Sequence, residues 1–385
     1  MKQIIVAGAG KIGVTIADML VDSGDYQVKL VDRDAGRFAA TSAQGIGKKK
    51  LERIEADVRD PAQLERLFSG AFAVLSAVPF DLTAEIALAA HRAGIHYLDL
   101  TEDVATTRRV KQLAQNARSA FIPQCGLAPG FITIAACDLI RRFDILHDVR
   151  MRVGALPQFP SNALKYNLTW STEGLINEYC EPCEAIVEGV RREVPPLEEC
   201  EQFAIDGVTY EAFNTSGGLG TLCETLDGRV RTLNYRTIRY PGHAAIMKAL
   251  LHDLRLRERR ELLKDILEYA LPTTMQDVVI VFVTVSGMRQ GRFVQDTYTR
   301  KIYSRSIAGV MRSAIQVTTA AGITGVLDLL AGGKIPNRGF VRQEDIELAA
   351  FLGNRFGKVY ANTDAGNGTE ASATMRSSAV AVASA

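Results

Sequence analysis

Gln3-Ile4-Ile5-Val6-Ala7-Gly8-Ala9-Gly10-Lys11-Ile12-Gly13 is the stretch on which the fold turns. Four apolar residues run into a G-x-G-x-x-G arrangement, and apolar residues then recur at helical spacing from Ile12 to about Val21. Strand, tight turn and helix follow in that order. Gly8 permits the turn, Gly10 lets the backbone approach a pyrophosphate, and Gly13 lets the helix lie close to the sheet. The helix start offers free N–H groups and a positive dipole end to phosphates. The loop Gly8, Ala9, Gly10, Lys11, Ile12 and Gly13 is therefore expected to hold a dinucleotide. Asp32 ends the next apolar run, where an acid hydrogen-bonds the ribose hydroxyls. Its charge repels a 2′-phosphate and favours NAD over NADP. Arg33 pulls the other way, because a guanidinium pairs with that phosphate.

Outward from this loop, short apolar runs alternate with helical patterns. Val28–Val31, Ile54–Val58, Phe72–Ala77, His96–Leu100 and Phe121–Pro123 read as further strands. Ala84–Arg92, closed by Gly94, and Val104–Arg118 read as helices, and Asp60-Pro61 as an N-cap with proline at the first helical position. The pattern predicts a Rossmann-type doubly wound parallel sheet over residues 1–125. Ligands of such sheets bind beyond the carboxyl ends of the strands. That places Asp57, Ser76-Ala77-Val78-Pro79, Thr101-Glu102 and Leu127-Ala128-Pro129 beside the nucleotide, although each is also an ordinary connecting loop by pattern alone.

After Pro129-Gly130 the pattern changes. A helix over Phe131–Phe143 leads into strands at Val149–Ala155, Tyr166–Trp170, Ala185–Val187, Thr209–Asn214 and Val278–Val285. Asp206-Gly207 is a hairpin turn, since such turns need positive φ. Residues 126–330 are expected to form an α+β domain with a mainly antiparallel sheet, for substrate binding and dimerisation. Phe340–Phe356 carries a helical pattern, and 331–360 is expected to pack back on the first domain. Residues 361–385 have little bulk and are read as a disordered tail.

Bulk properties narrow the partners. Lys and Arg number 45 against 44 Asp and Glu, so charge gives no sign of nucleic acid. Lys48-Lys49-Lys50 is the one basic block and reads as a solvated loop. No run of about 18 apolar residues is seen, so no membrane span is expected. Met1-Lys2-Gln3 runs straight into a strand, leaving no room for a signal peptide. Six cysteines in a chain this long suggest reduced thiols and a cytoplasmic setting. Cys180 and Cys183 form a lone C-x-x-C, with Cys200 and Cys223 irregularly spaced beyond it, so no metal is expected.

Several segments fall in an order more specific than the glycine loop. They are Cys125-Gly126-Leu127-Ala128-Pro129-Gly130, Gly154-Ala155-Leu156-Pro157 and Trp170-Ser171-Thr172-Glu173-Gly174-Leu175, then Thr215-Ser216-Gly217-Gly218. Thr237-Ile238-Arg239-Tyr240-Pro241-Gly242-His243 and Gly339-Phe340-Val341-Arg342-Gln343-Glu344 complete the set. In these the chain resembles the saccharopine dehydrogenase family, specifically its lysine 6-dehydrogenase branch. The resemblance implies oxidation of the ε-carbon of L-lysine with NAD, giving 2-aminoadipate 6-semialdehyde and ammonia. It also implies a homodimer or higher homo-oligomer acting on a small amino-acid substrate. Saccharopine-forming relatives carry aspartate where this chain has Ala128 and cysteine where it has Ala155, which favours the lysine branch. Gly154-Ala155 departs from the usual double glycine there.

Such a reaction needs the amine deprotonated, its carbon near the nicotinamide, a base for water, and a cation for the α-carboxylate. Arg239 is the candidate cation, since a guanidinium binds carboxylate bidentately. Glu173 orients the ammonium or activates water, or else compensates a helix dipole. Trp170, the only tryptophan, walls the nicotinamide or the substrate methylenes, or packs in the core. His243 shuttles a proton or caps the following helix. Thr215 presents its hydroxyl to substrate or belongs to a plain turn. Two competing functions stay open: an imine reductase of the saccharopine- or carboxynorspermidine-forming kind, and a non-catalytic NAD-binding sensor.

Overall fold

The computed structural model describes residues 1–40 and 50–361. Lys48, Lys49 and all of the expected tail beyond Ala361 lie outside the described residues. The first sheet is parallel throughout. It contains β1 (Lys2–Ala7), β2 (Tyr26–Asp32), β3 (Leu51–Glu55), β4 (Ala73–Ser76), β5 (His96–Asp99) and β6 (Ala120–Ile122), in the order 3-2-1-4-5-6. Helices α1 (Lys11–Asp22), α2 (Pro61–Phe68), α3 (Phe80–Ala93) and α4 (Val104–Ala114) cover its two faces. Both faces are buried over the central strands, where apolar residues run consecutively, as at Ile4–Ala7 and Ala73–Leu75. Ile4, Val6, Leu30 and Leu75 pack with Ile16 and Leu20 of α1. Ile5, Val31, Val74 and Tyr97 pack with Leu64, Phe68 and Ile86 on the other side.

Local chemistry sets the helix ends. Asp60 caps α2 by accepting from the Ala62 and Gln63 N–H groups, with Pro61 at the first position. Gly94 closes α3 in the left-handed region, φ 69°.

The second sheet is mixed and mostly antiparallel. After α5 (Phe131–Ile140) come β7 (Ile145–Pro157), α6 (Thr172–Cys180), β8 (Cys183–Val187), β9 (Val190–Val194), β10 (Glu201–Ile205) and β11 (Val208–Asn214). Then follow α7 (Leu222–Thr225), β12 (Thr232–Arg239), α8 (His243–Lys248), α9 (Arg260–Ala270), β13 (Asp277–Arg289) and β14 (Arg292–Tyr303). The main path is 10-11-12-7-13-14, with β8 on β12 and β9 on β8; only β12 and β7 run parallel. Asp206 (φ 52°) and Gly207 (φ 78°) make the expected β10–β11 turn.

A small hairpin of β15 (Arg305–Ile307) and β16 (Val310–Arg312) leads to α10 (Ala314–Ala331). Then β17 (Gly339–Phe340) adds to β6 at the edge of the first sheet, and α11 (Leu348–Gly353) follows. Helix α10 lies along α1, and Arg312 Nη2 donates to buried Asp18 at 2.6 Å between the two halves.

Four expectations are corrected. Tyr166–Trp170 is no strand and keeps only a bridge from Leu168 to Thr273. The Asn162 side chain bonds both the N–H and the carbonyl of Tyr166, and such local bonds compete with a ladder. Strand three ends at Glu55 rather than Val58, because Asp60 N–H already turns back onto the Asp57 carbonyl. Phe340–Phe356 is a strand, a single helical turn at Gln343–Asp345 and the six-residue α11, not one helix. Its apolar spacing instead serves packing, as Phe351 sits 5.5 Å from the Phe131 ring. Finally, α10 is 18 residues long with mean hydropathy 1.5, long and apolar enough to cross a membrane by composition. It is 83% buried within the fold, as a core helix is.

Candidate active site

A cavity of about 740 Å³ lies between the carboxyl ends of the first sheet and the concave side of the second. At one end it is walled by the glycine loop. Gly8 (φ 98°) has no room for a side chain, since a Cβ would sit 2.6 Å from the Ala77 carbonyl oxygen. A Cβ on Gly13 would fall 1.8 Å from the Gly8 carbonyl oxygen, so that glycine brings helix against strand. Gly10 differs: a Cβ there would meet no protein atom within 4 Å and would project into open space. It precedes α1, whose N-terminus has no side-chain cap. Open space above an uncapped helix start fits a pyrophosphate.

Asp32 is buried, with Oδ2 accepting from Ala9 N–H at 2.7 Å and Oδ1 from Asp34 N–H at 3.0 Å. These bonds fix the carboxylate beside the glycine loop, as ribose recognition requires. Arg33 is exposed, and the guanidinium beside Asp32 belongs to Arg37, 3.8 Å away. Asp57 pairs with Arg59, which holds its carboxyl down at about 2. Of the remaining expected nucleotide residues, Gly10, Lys11, Ile12, Ala77, Val78 and Pro79 line the cavity, as do Thr101, Leu127 and Ala128. Ser76 is buried behind the wall, 3.4 Å from the Thr83 hydroxyl. Pro129 also lies behind it, against Gly220.

The other end of the cavity is built from charge. Arg239 closes β12 and is 2% exposed, yet no carboxylate lies within 4 Å of it among the described residues. Its Nε donates to the Tyr179 hydroxyl at 3.0 Å and its Nη1 to the Ile238 carbonyl at 2.8 Å. Its guanidinium lies over the Tyr166 ring, 5.0 Å from the centroid. The Tyr179 hydroxyl in turn lies 3.1 Å from His243 Nε2, and His243 Nδ1 lies 2.9 Å from the Leu164 carbonyl. Because a carbonyl only accepts, the proton sits on Nδ1 and Tyr179 donates to Nε2. Burial, helped by Arg239, pushes the His243 pKa down to about 3. His243 is thus a neutral buttress behind Tyr179, off the cavity wall, and not a proton shuttle. Nor does its side chain cap α8.

Glu173 stands exposed on the rim in an ion pair with Lys264, at the first turn of α6. The buried carboxyl that α6 gives to the cavity wall is Glu178, five residues further along and 8% exposed. Burial raises its pKa to about 8, with Arg239 opposing and Glu102 reinforcing the rise. Glu102 follows β5 on the opposite wall, and burial raises its pKa as well. Trp170 forms another wall, its ring so close over Gly174 that a Cβ would fall 2.4 Å from it.

Thr215-Ser216-Gly217-Gly218 ties these parts together. Ser216 N–H donates to the Glu178 backbone carbonyl, and a Cβ on Gly217 (φ 85°) would fall 3.0 Å from Glu102. Gly218 lies flat on the Tyr235 ring, where a Cβ would fall 2.2 Å from it. The Thr215 hydroxyl bonds that of Thr237 at 2.7 Å and faces an adjoining cavity instead of the main one.

Sequence reasoning passed over Glu178 and Tyr179, and placed Glu102 only with Thr101 at the carboxyl end of a strand. The signal for Glu178 was present: an acid beside Leu175, Ile176 and Tyr179 on the buried face of a helix. Ala128 and Ala155 both line the cavity.

Comparison with known proteins agrees with this architecture. The profile of the saccharopine dehydrogenase NADP binding domain matches residues 4–122, and that of the saccharopine dehydrogenase C-terminal domain matches residues 126–354. Saccharopine dehydrogenase (L-Glu forming) from Saccharomyces cerevisiae superposes with a TM-score of 0.74 at 15% identity, over 91% of this chain and 95% of that one. Homospermidine synthase from Legionella pneumophila, solved with NAD, gives 0.62 at 12% identity, over 93% and 89%. At such identities the structural likeness speaks for the fold, while the two sequence profiles cover nearly the whole described chain. The chain belongs to the saccharopine dehydrogenase family of NAD(P)-binding oxidoreductases.

Proposed function

We propose that this protein oxidises the side-chain amine of an amino acid with NAD, with L-lysine as substrate and 2-aminoadipate 6-semialdehyde and ammonia as products. The observation that carries the reading is Arg239: a buried guanidinium on a cavity wall with no carboxylate within 4 Å among the described residues. A desolvated cation held open in this way is matched to an anionic group of the ligand. Tyr179 and the Ile238 carbonyl fix its plane, leaving its remaining N–H groups for the α-carboxylate.

Bound NAD supplies the hydride acceptor. The protein's part is positioning and proton handling. Glu178 takes the proton from the substrate ammonium and releases it to solvent; it then takes one from the water that adds to the oxidised carbon and returns it to the departing nitrogen. Its raised pKa suits this, because a base must hold protons lightly enough to release them and tightly enough to take them. Glu102 reinforces that pKa from the facing wall. Trp170 shields the cavity from solvent. NAD is favoured over NADP by buried Asp32, against which Arg37 and Arg33 work. A cytoplasmic setting, which six free thiols support, and a homo-oligomeric state are parts of the same proposal.

The test is NADH formation with each common amino acid and diamine. Lysine is expected to be the best substrate, with 1,5-diaminopentane far poorer because it lacks the carboxylate. Equal rates on the two would refute the role of Arg239, and no turnover of any amine would refute the reading.

A further inference from the structure

A second cavity, of about 510 Å³, adjoins the first. Phe80, Glu102 and Tyr235 line both and so form the partition. One wall is the Thr215–Gly220 loop; the other is the β8–β9 hairpin with the start of α4. The charge on the walls is lopsided. Its two arginines are already engaged: Arg260 donates to Glu181 at 2.6 Å, and Arg108 lies 3.6 Å from Glu184. Glu193 faces Glu184 in cross-strand register, an arrangement of like charges that costs stability. Arg191 offsets the charge of Glu184, while no cation pairs with Glu193 among the described residues. Asp103 adds a further carboxylate, bound only to the Thr106 N–H.

A separate feature points to a ligand. Ser216 is 8% exposed and lines this cavity, yet its hydroxyl has no hydrogen-bond partner among the described residues. A hydroxyl open only to a cavity finds its partner in water or in a ligand there. A ligand able to donate to a hydroxyl oxygen and to carboxylates at once would complete the site, and a primary ammonium has three such donors. A carboxylate ligand would be repelled.

We infer that the second cavity is a binding site for a primary ammonium group, held by Ser216, Glu193 and Glu102. It shares Glu102 and Tyr235 with the cavity of the proposed reaction, and only in that connection does it rest on the proposed function. The ammonium has two possible sources, released ammonia and a separate alkylamine. The binding chemistry is the same for both.

The experiment is calorimetric titration of the intact protein with ammonium chloride, propylamine and 1,3-diaminopropane, each with and without saturating lysine. One amine per chain is expected to bind whether or not lysine is present. Ser216→Ala and Glu193→Gln should each weaken it at least about tenfold, the scale of one charge-assisted hydrogen bond. Glu258→Gln, in an exposed local pair with Arg255, should leave it unchanged. Both informative substitutions keep the backbone bonds, and circular dichroism checks the fold. Ammonium binding as tightly as propylamine identifies a seat for released nitrogen; preference for the alkylamines identifies a second amine. Amine binding that lysine abolishes, or that survives both substitutions, would overturn the inference. If lysine itself gives no heat, the lysine reading fails while the amine titrations still decide this one.

Discussion

The two ends of the main cavity are built from opposite materials. Around the glycine loop, recognition falls on the backbone: an uncapped helix start, an absent Cβ at Gly10, and one carboxylate pinned by two N–H groups. Around Arg239 it falls on buried charge, with a guanidinium and two carboxyls kept apart by a frame of phenols and loops. The first end is stable whether or not a ligand is bound, because its polar groups are either satisfied or wet. The second keeps unpaired charge out of water, which costs stability until a ligand arrives. Binding surfaces made of backbone tolerate side-chain change; those made of buried charge do not.

Glu178→Gln tests this contrast most severely. Loss of a general base should lower kcat/KM on lysine by about 10²–10⁴-fold and remove the rise in activity with pH near 8. Stability should move the other way. The folded-state pKa of Glu178 lies above the ordinary carboxylate value, so the folded protein holds this proton more tightly than the unfolded chain. The resulting penalty on folding is absent below the ordinary carboxylate range and grows until pH passes about 8. The variant should therefore melt higher than the parent at about pH 9 and equally at about pH 4. An unchanged pH–rate profile would show that the base is another group.

Arg239→Ala comes next. Truncating one partner of a desolvated pair typically costs about 2–5 kcal/mol, here in kcat/KM on lysine with little change on the diamine. Arg239→Lys should recover only part, because an ammonium lacks the fork geometry. Equal losses on both substrates would assign Arg239 to the fold.

At the nucleotide end, Asp32→Ala should cost about 1–3 kcal/mol in NAD affinity, measured by fluorescence titration. NADP affinity should not fall, since Arg37 loses one of its two carboxylate neighbours and a phosphate loses a repelling charge. Tighter binding of NADP than NAD by the unmodified protein would reverse the cofactor preference. The smallest effect is expected for Glu173→Gln, within about 1 kcal/mol in kcat/KM, because that carboxylate is exposed and paired at the rim. A large loss there would move the base from the floor of the cavity to its edge.

The same contrast explains what the sequence disclosed. The glycine loop, the parallel sheet and the Asp60 and Gly94 caps were legible because each is a local pattern within a few residues. Arg239 and Trp170 were found through residue type and familial motifs. Glu178 was not, because Glu173 stands in the quoted motif and looks equally acidic; only the packing of α6 decides which carboxyl faces inward. His243 read as a shuttle because sequence gives its ordinary pKa and not the tyrosine and carbonyl that surround it. Phe340–Phe356 read as one helix because helical spacing also arises where a folded-back segment touches a core at intervals.

Helix α10 has a consequence for the order in which the protein is made. Its side chains close the core around α1, and β17 covers the edge of β6, yet both are translated long after the sheet they complete. A nascent chain carrying only residues 1–125 would leave the α10-facing side of α1 bare and β6 as an open edge, both invitations to aggregation. The nucleotide-binding half is therefore not a detachable module in this protein. Ribosome-bound or truncated chains ending before residue 314 should lean on chaperones and resist isolation in soluble form, whereas the chain carried through Tyr360 can bury its own apolar surfaces.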